Sequence, residues 1–231
     1  MTKEEFVEYT KNIGIDISEK ELEKLEKYKD LLIEWNCKFN LTSIIKEEDI
    51  YLKHFYDSLC LVKATNLNNK SICDFGTGAG FPGMVISIVF SNTKVTLLES
   101  NGKKITFLEE VKKELDLKNV YIINDRAEDY GKKNRELFDI VTCRAVSSLN
   151  IILELSVSML KINGLFIPMK SNVEEEFNNS LNKAILLGYE FIKKIEYDLP
   201  IEHSDRSLLI YEKIKKTDIK YPRSYNLIKK Q

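Results

Sequence analysis

Three glycines, Gly76, Gly78 and Gly80, stand in the segment ICDFGTGAGFPG directly behind a short apolar run and ahead of a second one. A glycine loop between a strand and a helix lets the backbone turn tightly and approach a ligand where a side chain would block it. Taken alone, such a triplet marks an ordinary strand-to-helix turn equally well. Three acidic positions raise its meaning. Asp74 closes the strand, where its carboxylate can face a ligand ammonium or fix the loop through backbone N–H groups. A pyrophosphate in the same place would be repelled. Glu99 ends the next apolar run, in LLES, at the usual place for an acid that holds both ribose hydroxyls. Asp125 and Glu128, in NDRAED, follow a third run, where a side chain and a backbone N–H can meet an adenine ring. Together these describe an adenosine with a cationic, amino-acid-bearing tail, a description that S-adenosylmethionine fits better than a nicotinamide dinucleotide does.

Candidates for proton chemistry are few. His54 and Asp57 stand three apart in a helical pattern and so share a face. They can contact a substrate or cover the reacting group, or equally pin their helix onto the rest of the protein. Arg144, in TCRAV, sits where a fourth strand should end, which is where sites form in α/β sheets. It can orient a substrate or lie along the cofactor. Its neighbour Cys143 is expected to be a half-buried structural cysteine, because a nucleophilic thiolate needs an activating environment. The D/N-P-P-Y/F motif of exocyclic-amine methylation is absent after the fourth strand. Two histidines and four scattered cysteines form no metal-binding pattern, so no metal is expected.

The elements that must position these residues can be read from periodicity. Residues 3–35 carry Phe6, Tyr9 and Ile13, then Leu22, Leu25, Tyr28, Leu32 and Trp35, at the spacing of two amphipathic helices, with Gly14 in the turn. Ser18 and Glu21 have the form of a capping box for the second. A polar EED at 47–49 should start a third helix with Tyr51, His54, Phe55 and Leu59 facing inward. From Ser71 the texture changes to short apolar runs separated by helical stretches, the mark of a parallel sheet with crossover helices. Strands are predicted near 71–75, 94–99, 119–124, 137–143 and 163–169, with helices around 82–91, 102–117, 148–160 and 173–187. Two last strands, near 189–198 and 206–213, are joined by a loop too short for a crossover helix and must be antiparallel. The expected architecture is an α/β, Rossmann-like sheet, mostly parallel with its last strand antiparallel, behind a helical segment at the N-terminus. The expected division is a helical segment at 1–68, a cofactor-binding domain at 69–215 and a basic tail at 216–231.

Composition agrees with an ordinary globular protein: 231 residues, 43% hydrophobic and 31% charged. No apolar run approaches the roughly 20 residues of a membrane-spanning helix, and the N-terminus lacks the pattern of a signal peptide, so a cytoplasmic location with reduced thiols is expected. The formal net charge is −1, yet the distribution is uneven. From Lys213 to Lys230 there are six lysines and Arg223 against Asp218 alone, whereas acids outnumber lysines fourteen to nine in the first sixty residues. The acidic excess reads as a solvated helical face.

Several further stretches resemble one family closely: WNCKFNLTSI (35–44), HFYDSL (54–59), DFGTGAGFPG (74–83), LLES with Lys103 and Lys104, RAE (126–128), CRAV (143–146) and YPR (221–223). On these the chain is similar to the bacterial 16S ribosomal RNA guanine-N7 methyltransferases, the glucose-inhibited division protein B family, over nearly its whole length. The resemblance implies a class I methyltransferase fold and S-adenosylmethionine as cofactor, met by Gly76, Phe81, Ala127, Glu128 and Arg144 beside Asp74, Gly78, Gly80 and Glu99. It implies 16S rRNA, within the small ribosomal subunit or an assembly intermediate, as partner of what is expected to be a monomer. N7 of guanine carries a lone pair and no proton, so no general base is required and the task is positioning, with Arg144, His54 and Asp57 as candidates. Arg126, Lys170 and Arg223 are the candidate RNA contacts, along with Lys103, Lys104 and the tail lysines. After YPR this chain has only SYNLIKKQ, shorter than the family's usual basic ending, which leaves the tail's part in substrate binding open. Three other readings share some of these features: a small-molecule or other RNA methyltransferase with the same cofactor site, a non-enzymatic RNA-binding relic of the fold, and a nicotinamide oxidoreductase, for which no hydride-transfer machinery is present.

Overall fold

The structure is a computed structural model and describes residues 1–171 and 173–230. Seven strands form one sheet in the order β3-β2-β1-β4-β5-β7-β6. They are β1 (Ser71–Phe75), β2 (Lys94–Glu99), β3 (Val120–Asn124), β4 (Phe138–Arg144), β5 (Leu160–Lys170), β6 (Tyr189–Asp198) and β7 (Asp205–Lys213). The first five are parallel to one another, and β7 lies between β5 and β6, antiparallel to both. The order reverses between β1 and β4, and a sheet of this kind opens a crevice beyond the strand ends at that point. Register aligns the chemistry there. Asp74 pairs with Leu97 and with Thr142, each two residues short of its strand end, at Glu99 and Arg144.

Each face of the sheet is covered by its own core. One is built by α1 (Lys3–Asn12), α2 (Glu19–Phe39), α5 (Gly83–Val89) and α6 (Gly102–Glu114) with the helical segment between α2 and β1. The other is built by α8 (Leu149–Val157) and α9 (Glu174–Leu187) and is closed by Tyr221 and Ile228 of the tail. Both N-terminal helices start in full capping boxes, Thr2 with Glu5 and Ser18 with Glu21, each of which satisfies two otherwise orphan N–H groups. The helix expected after EED is instead a composite. It begins as α3 (Glu47–Asp49), widens into a π-helix over Ile50–Tyr56, and returns through α4 (Asp57–Leu59) to a 3-10 turn at Cys60–Lys63. The π-helical stretch carries His54 and is almost wholly buried.

One crossover helix has no counterpart in the periodicity: α7 (Ala127–Lys133), seven residues between β3 and β4. A last turn, α10 (Tyr225–Ile228), ends the described chain; the tail expected at 216–231 includes Gln231, which lies outside the described residues. All four cysteines are free, with Cys60, Cys73 and Cys143 buried and Cys37 exposed. No helix among the described residues is long and apolar enough to cross a membrane.

Candidate functional site

The glycine loop owes its shape to three residues in the left-handed region, Gly76 (φ 63°), Gly78 (φ 64°) and Gly80 (φ 106°). Asp74 ties the loop together from beneath. Its Oδ2 accepts from the Thr77 hydroxyl at 2.6 Å and from the Gly83 N–H at 2.8 Å. The other oxygen, Oδ1, is buried with no hydrogen-bond partner. Burial raises the Asp74 carboxyl to about 7, against the pull of these two donors and of the Arg144 charge. Of its two readings, the loop-fixing one is what the unliganded geometry displays.

Glu99 reaches back to the same loop. Its Oε2 accepts from the Gly78 N–H at 3.0 Å, and its Oε1 accepts from the N–H groups of Ser100 and Asn101, each at 2.8 Å. The carboxylate is thereby locked in one rotamer, with both lone pairs of Oε1 in use and a second one left on Oε2. A Cβ built on Gly78 would lie 3.9 Å from the Lys104 ammonium, so that cation stands over the loop.

Beside Gly76 a pocket of about 170 Å3 opens, walled by Leu98, Ala127, Val146, Leu155 and Tyr225 and rimmed by Asp125, Arg126 and Glu128. Gly76 cannot be larger, since its Cβ would meet Val146 Cγ2 at 2.7 Å. Glu128 is buried at the start of α7 and takes a hydrogen bond from Arg126 Nε at 2.9 Å.

A larger cavity, of about 480 Å3, lies on the other side of the Arg144–Val146 run and is lined by Ile44, Lys53, His54, Asp57, Arg144, Ala145, Met169, Lys170, Ser171, Glu176 and Arg206. Ala145 holds a left-handed backbone (φ 55°) as the chain leaves β4, which costs a non-glycine residue about 1–2 kcal/mol. Arg144 is the hub. Its Nη1 donates to the Lys53 carbonyl at 2.6 Å and to Asp57 Oδ2 at 2.9 Å, its Nη2 meets His54 Nδ1 at 3.0 Å, and its guanidinium lies 5.3 Å from the Phe81 ring centre.

The protonation state of His54 follows from these contacts. A guanidinium only donates, so Nδ1 must accept, which leaves the proton on Nε2 to be donated to the Thr42 hydroxyl at 3.1 Å. Burial, with the Arg144 charge second, holds the imidazole down at about 3. Its ring stacks on Phe81 with centroids 4.1 Å apart. The Phe81 side chain is itself buried and also stacks on Tyr28 of α2, so it serves as a packing link between the loop and the helices. Asp57 is equally engaged: Oδ1 accepts from the Tyr197 hydroxyl at 2.9 Å and lies 3.6 Å from Arg206 Nε. Thr42, Tyr197 and Arg206, together with Tyr225 in the smaller pocket, escaped the reading of the sequence because no local spacing connects them to the residues they serve.

The other predicted contacts lie as follows. Lys170 binds Glu176 at 2.6 Å and the Ser147 carbonyl at 3.1 Å on the cavity wall. Arg126 stays at the exposed rim of the smaller pocket. Arg223 turns inward onto Glu154, whose side chain has no exposed surface, and Lys213 is fully buried beside Glu136. Lys103 lies over the Phe39 ring, 6.0 Å from its centre. Burial pushes the Cys143 thiol well above its ordinary range, so this cysteine is packing, more deeply buried than expected. No cluster of metal-ligating side chains occurs among the described residues.

The chain has relatives among known proteins. Residues 21–200 match the family described as rRNA small subunit methyltransferase G. Ribosomal RNA small subunit methyltransferase G of Bacillus subtilis is 45% identical over 227 residues, covering 96% of this chain and 95% of its own. The protein of the same name from Fusobacterium nucleatum is 43% identical, with 97% of each chain covered. Among solved structures, M. jannaschii TYW2 in complex with AdoMet superposes with a TM-score of 0.58 at 17% identity, covering 74% of this chain and 80% of that one. Precorrin-6y C5,15-methyltransferase from Geobacter metallireducens does so with a TM-score of 0.53 at 16% identity, covering 76% and 92%. At such identities these two share the fold.

Proposed function

The chain belongs to the rRNA small subunit methyltransferase G family, and from that membership and the cleft just described we propose that it transfers a methyl group from S-adenosylmethionine to N7 of a guanine in small-subunit (16S) ribosomal RNA. The observation that carries the reading is a pair of adjoining cavities at the switch point of the sheet, one suited to an adenosine and one lined by cations, with His54 and Asp57 of the second already committed to partners.

The residues present fit the cofactor. Glu99, held by three backbone donors with a lone pair to spare on Oε2, suits the ribose hydroxyls. The apolar walls of Leu98, Ala127 and Val146, with Glu128 and Asp125 at the rim, suit a purine and its exocyclic amine. Asp74 with its unpartnered oxygen, together with Gly76, Gly78, Gly80 and the loop backbone at Phe81, suits the cationic amino-acid end. When bound, S-adenosylmethionine supplies an electrophilic methyl on a sulfonium, which needs only an in-line lone pair.

The chain's own part is positioning. His54 is neutral with both ring nitrogens occupied, and Asp57 is held by Arg144 and Tyr197, so neither is available to take a proton. A nucleophile that must lose a proton in the reaction would find neither of these two free to take it, whereas guanine N7 has none to lose. The Arg144 guanidinium, fixed on three sides, lines the larger cavity. There it can hold a guanine by a charge-assisted bond without needing to reorganise. Lys53, Lys170 and Arg206 line the same cavity and suit phosphates flanking the base. A small-molecule methyltransferase would share the cofactor side, but a cavity lined by four cations, Lys53, Arg144, Lys170 and Arg206, favours a polyanion.

The substrate form we infer is the subunit or its assembly intermediate, in the cytoplasm where ribosomes assemble, with the enzyme acting as a monomer. The deciding experiment offers labelled S-adenosylmethionine with small subunits from an unmethylated strain and, alongside, the naked rRNA. Label on a single 7-methylguanosine, dependent on the subunit proteins, is the expected result. Transfer to neither, despite measured cofactor binding, would overturn the ribosomal reading.

A further inference from the structure

We propose that the C-terminal segment is part of the cofactor site, with Tyr225 contacting the adenosine as the outer wall of its pocket. The inference rests on the cofactor reading above and concerns residues outside both the sheet and the glycine loop. The basic character of the tail suggests a solvated arm for RNA, but the structure turns it inward at each successive anchor. Arg135 donates from Nη1 to the Tyr221 carbonyl at 2.7 Å and from Nη2 to those of Thr217 and Asp218 at 3.0 and 3.2 Å. Two residues before Tyr225, the Arg223 N–H and Nε both donate to Oε1 of the fully buried Glu154, at 3.0 and 2.8 Å, in an ion pair that Lys183 completes. Three residues after it, Ile228 is buried in the core on that face.

Held at both sides, Tyr225 is carried to the pocket that Gly76, Leu98, Ala127, Val146 and Leu155 line, and it is the lining residue contributed by the tail. Its ring lies 5.4 Å from the Arg126 guanidinium, which in turn is bonded to Glu128. The acid proposed to meet the adenine amine and the ring proposed to cover it are therefore linked through one cation. A flat purine needs apolar surface on both faces to leave water. Leu98, Ala127 and Val146 line the pocket from the sheet side, and Tyr225 closes it from the tail.

The test is isothermal titration of the full chain with S-adenosylhomocysteine and with methylthioadenosine, which lacks the amino-acid end. The wild type is compared with Tyr225→Ala, Tyr225→Phe and Glu154→Gln. Tyr225→Ala is expected to weaken both ligands by about tenfold, the scale of losing one ring from a base-stacking site, and Tyr225→Phe to retain wild-type affinity. Glu154→Gln, which loosens the Arg223 anchor without touching the pocket, should weaken both ligands in the same direction. Unchanged binding in Tyr225→Ala, or an equal loss in Tyr225→Phe, would overturn the assignment of the ring. Failure of the wild type itself to bind either ligand would overturn the cofactor reading beneath it. The Tyr225 variants decide the matter even if Glu154→Gln does not fold, because Tyr225 is only half-buried.

Discussion

Replacing His54 by Gln should make stability respond to pH in a way that isolates the imidazole. In the folded protein Nδ1 faces the Arg144 guanidinium, which also bonds Asp57 and the Lys53 carbonyl, while Nε2 faces the Thr42 hydroxyl and one ring face covers Phe81. Protonating Nδ1 would set a donor against a donor beside a fixed positive charge, and burial and that charge hold the group down at about 3. A folded value below the unfolded one means that the contribution is fully present above about pH 6.5 and is lost as the pH falls toward 3. At pH 5.0 the folded imidazole is neutral even if its value were a unit higher, so the loss is set by the unfolded chain alone. Taking an unfolded value of about 6.5, protonation then favours the unfolded state by about 2 kcal/mol at pH 5.0 and by less than about 0.1 kcal/mol at pH 7.5. Glutamine can accept from Arg144 but does not titrate. Urea unfolding of wild type and His54→Gln at the two pH values should therefore show the cost of the substitution shrinking by about 2 kcal/mol at pH 5.0. The difference between the two proteins cancels the titration of other groups, including Asp74, whose raised value gives a slope of opposite sign between about pH 4 and 7. A cost equal at both pH values would refute a neutral, Nδ1-accepting histidine and with it the account of how Arg144 is held.

Asp57→Asn leaves the Arg144 and Arg206 guanidiniums facing a neutral amide in a buried place, and should cost about 3 kcal/mol in urea unfolding with at least a tenfold fall in kcat/KM for methyl transfer. Glu99→Gln must turn a donor toward either Gly78 or the Ser100 and Asn101 N–H groups, and should weaken S-adenosylhomocysteine by about ten- to a hundredfold in calorimetry. Gly80→Ala would place a Cβ 2.5 Å from the Tyr28 hydroxyl and 2.9 Å from Met84 Cβ at a φ of 106°, so a loss of about 2–3 kcal/mol is expected from thermal or urea unfolding, with Tyr28→Phe failing to restore it because Met84 remains.

Most of the frame was legible because it is local. Apolar runs bounded by turn residues marked all seven strands to within a few residues, and the short Pro200–Asp205 link dictated an antiparallel pair. That β7, not β6, lies against β5 was not legible, since strand order is settled by pairing between distant segments. Helix α7 went unseen because seven residues hold barely two turns of period, and Gly131 within it looks like a breaker. The glycine is there for packing, since a Cβ would lie 2.7 Å from Ser158 Oγ. The π-helical stretch at Ile50–Tyr56 left no trace in an apolar pattern that an α-helix fits as well. Within the site, Asp74 and Glu99 were visible because they end strands. Tyr197 was not: it reaches Asp57 across 140 residues of sequence, and nothing near either residue announces the other.

The same convergence explains how a chain of net charge −1 can be proposed to act on a polyanion. Each cation lining the larger cavity already has a carboxylate, but the pairs differ in what separating them would cost. Asp57, which serves Arg144 and Arg206, has a side chain only 3% exposed, so taking either guanidinium away would strand a buried charge. These two are fixed donors, able to accept a further partner only from the cavity side. Lys170 and Lys53 are different. Glu176 is 39% exposed and keeps the Leu149 N–H as a second partner, while Asp49 and Glu202 are 36% and 31% exposed, so these carboxylates can rehydrate when a phosphate takes their lysine. The cavity thus divides into a rigid centre that sets where a base can sit and a rim whose ion pairs exchange at little cost. Such a rim adds little to the attraction of RNA at a distance and releases its charge only to a partner whose shape already fits.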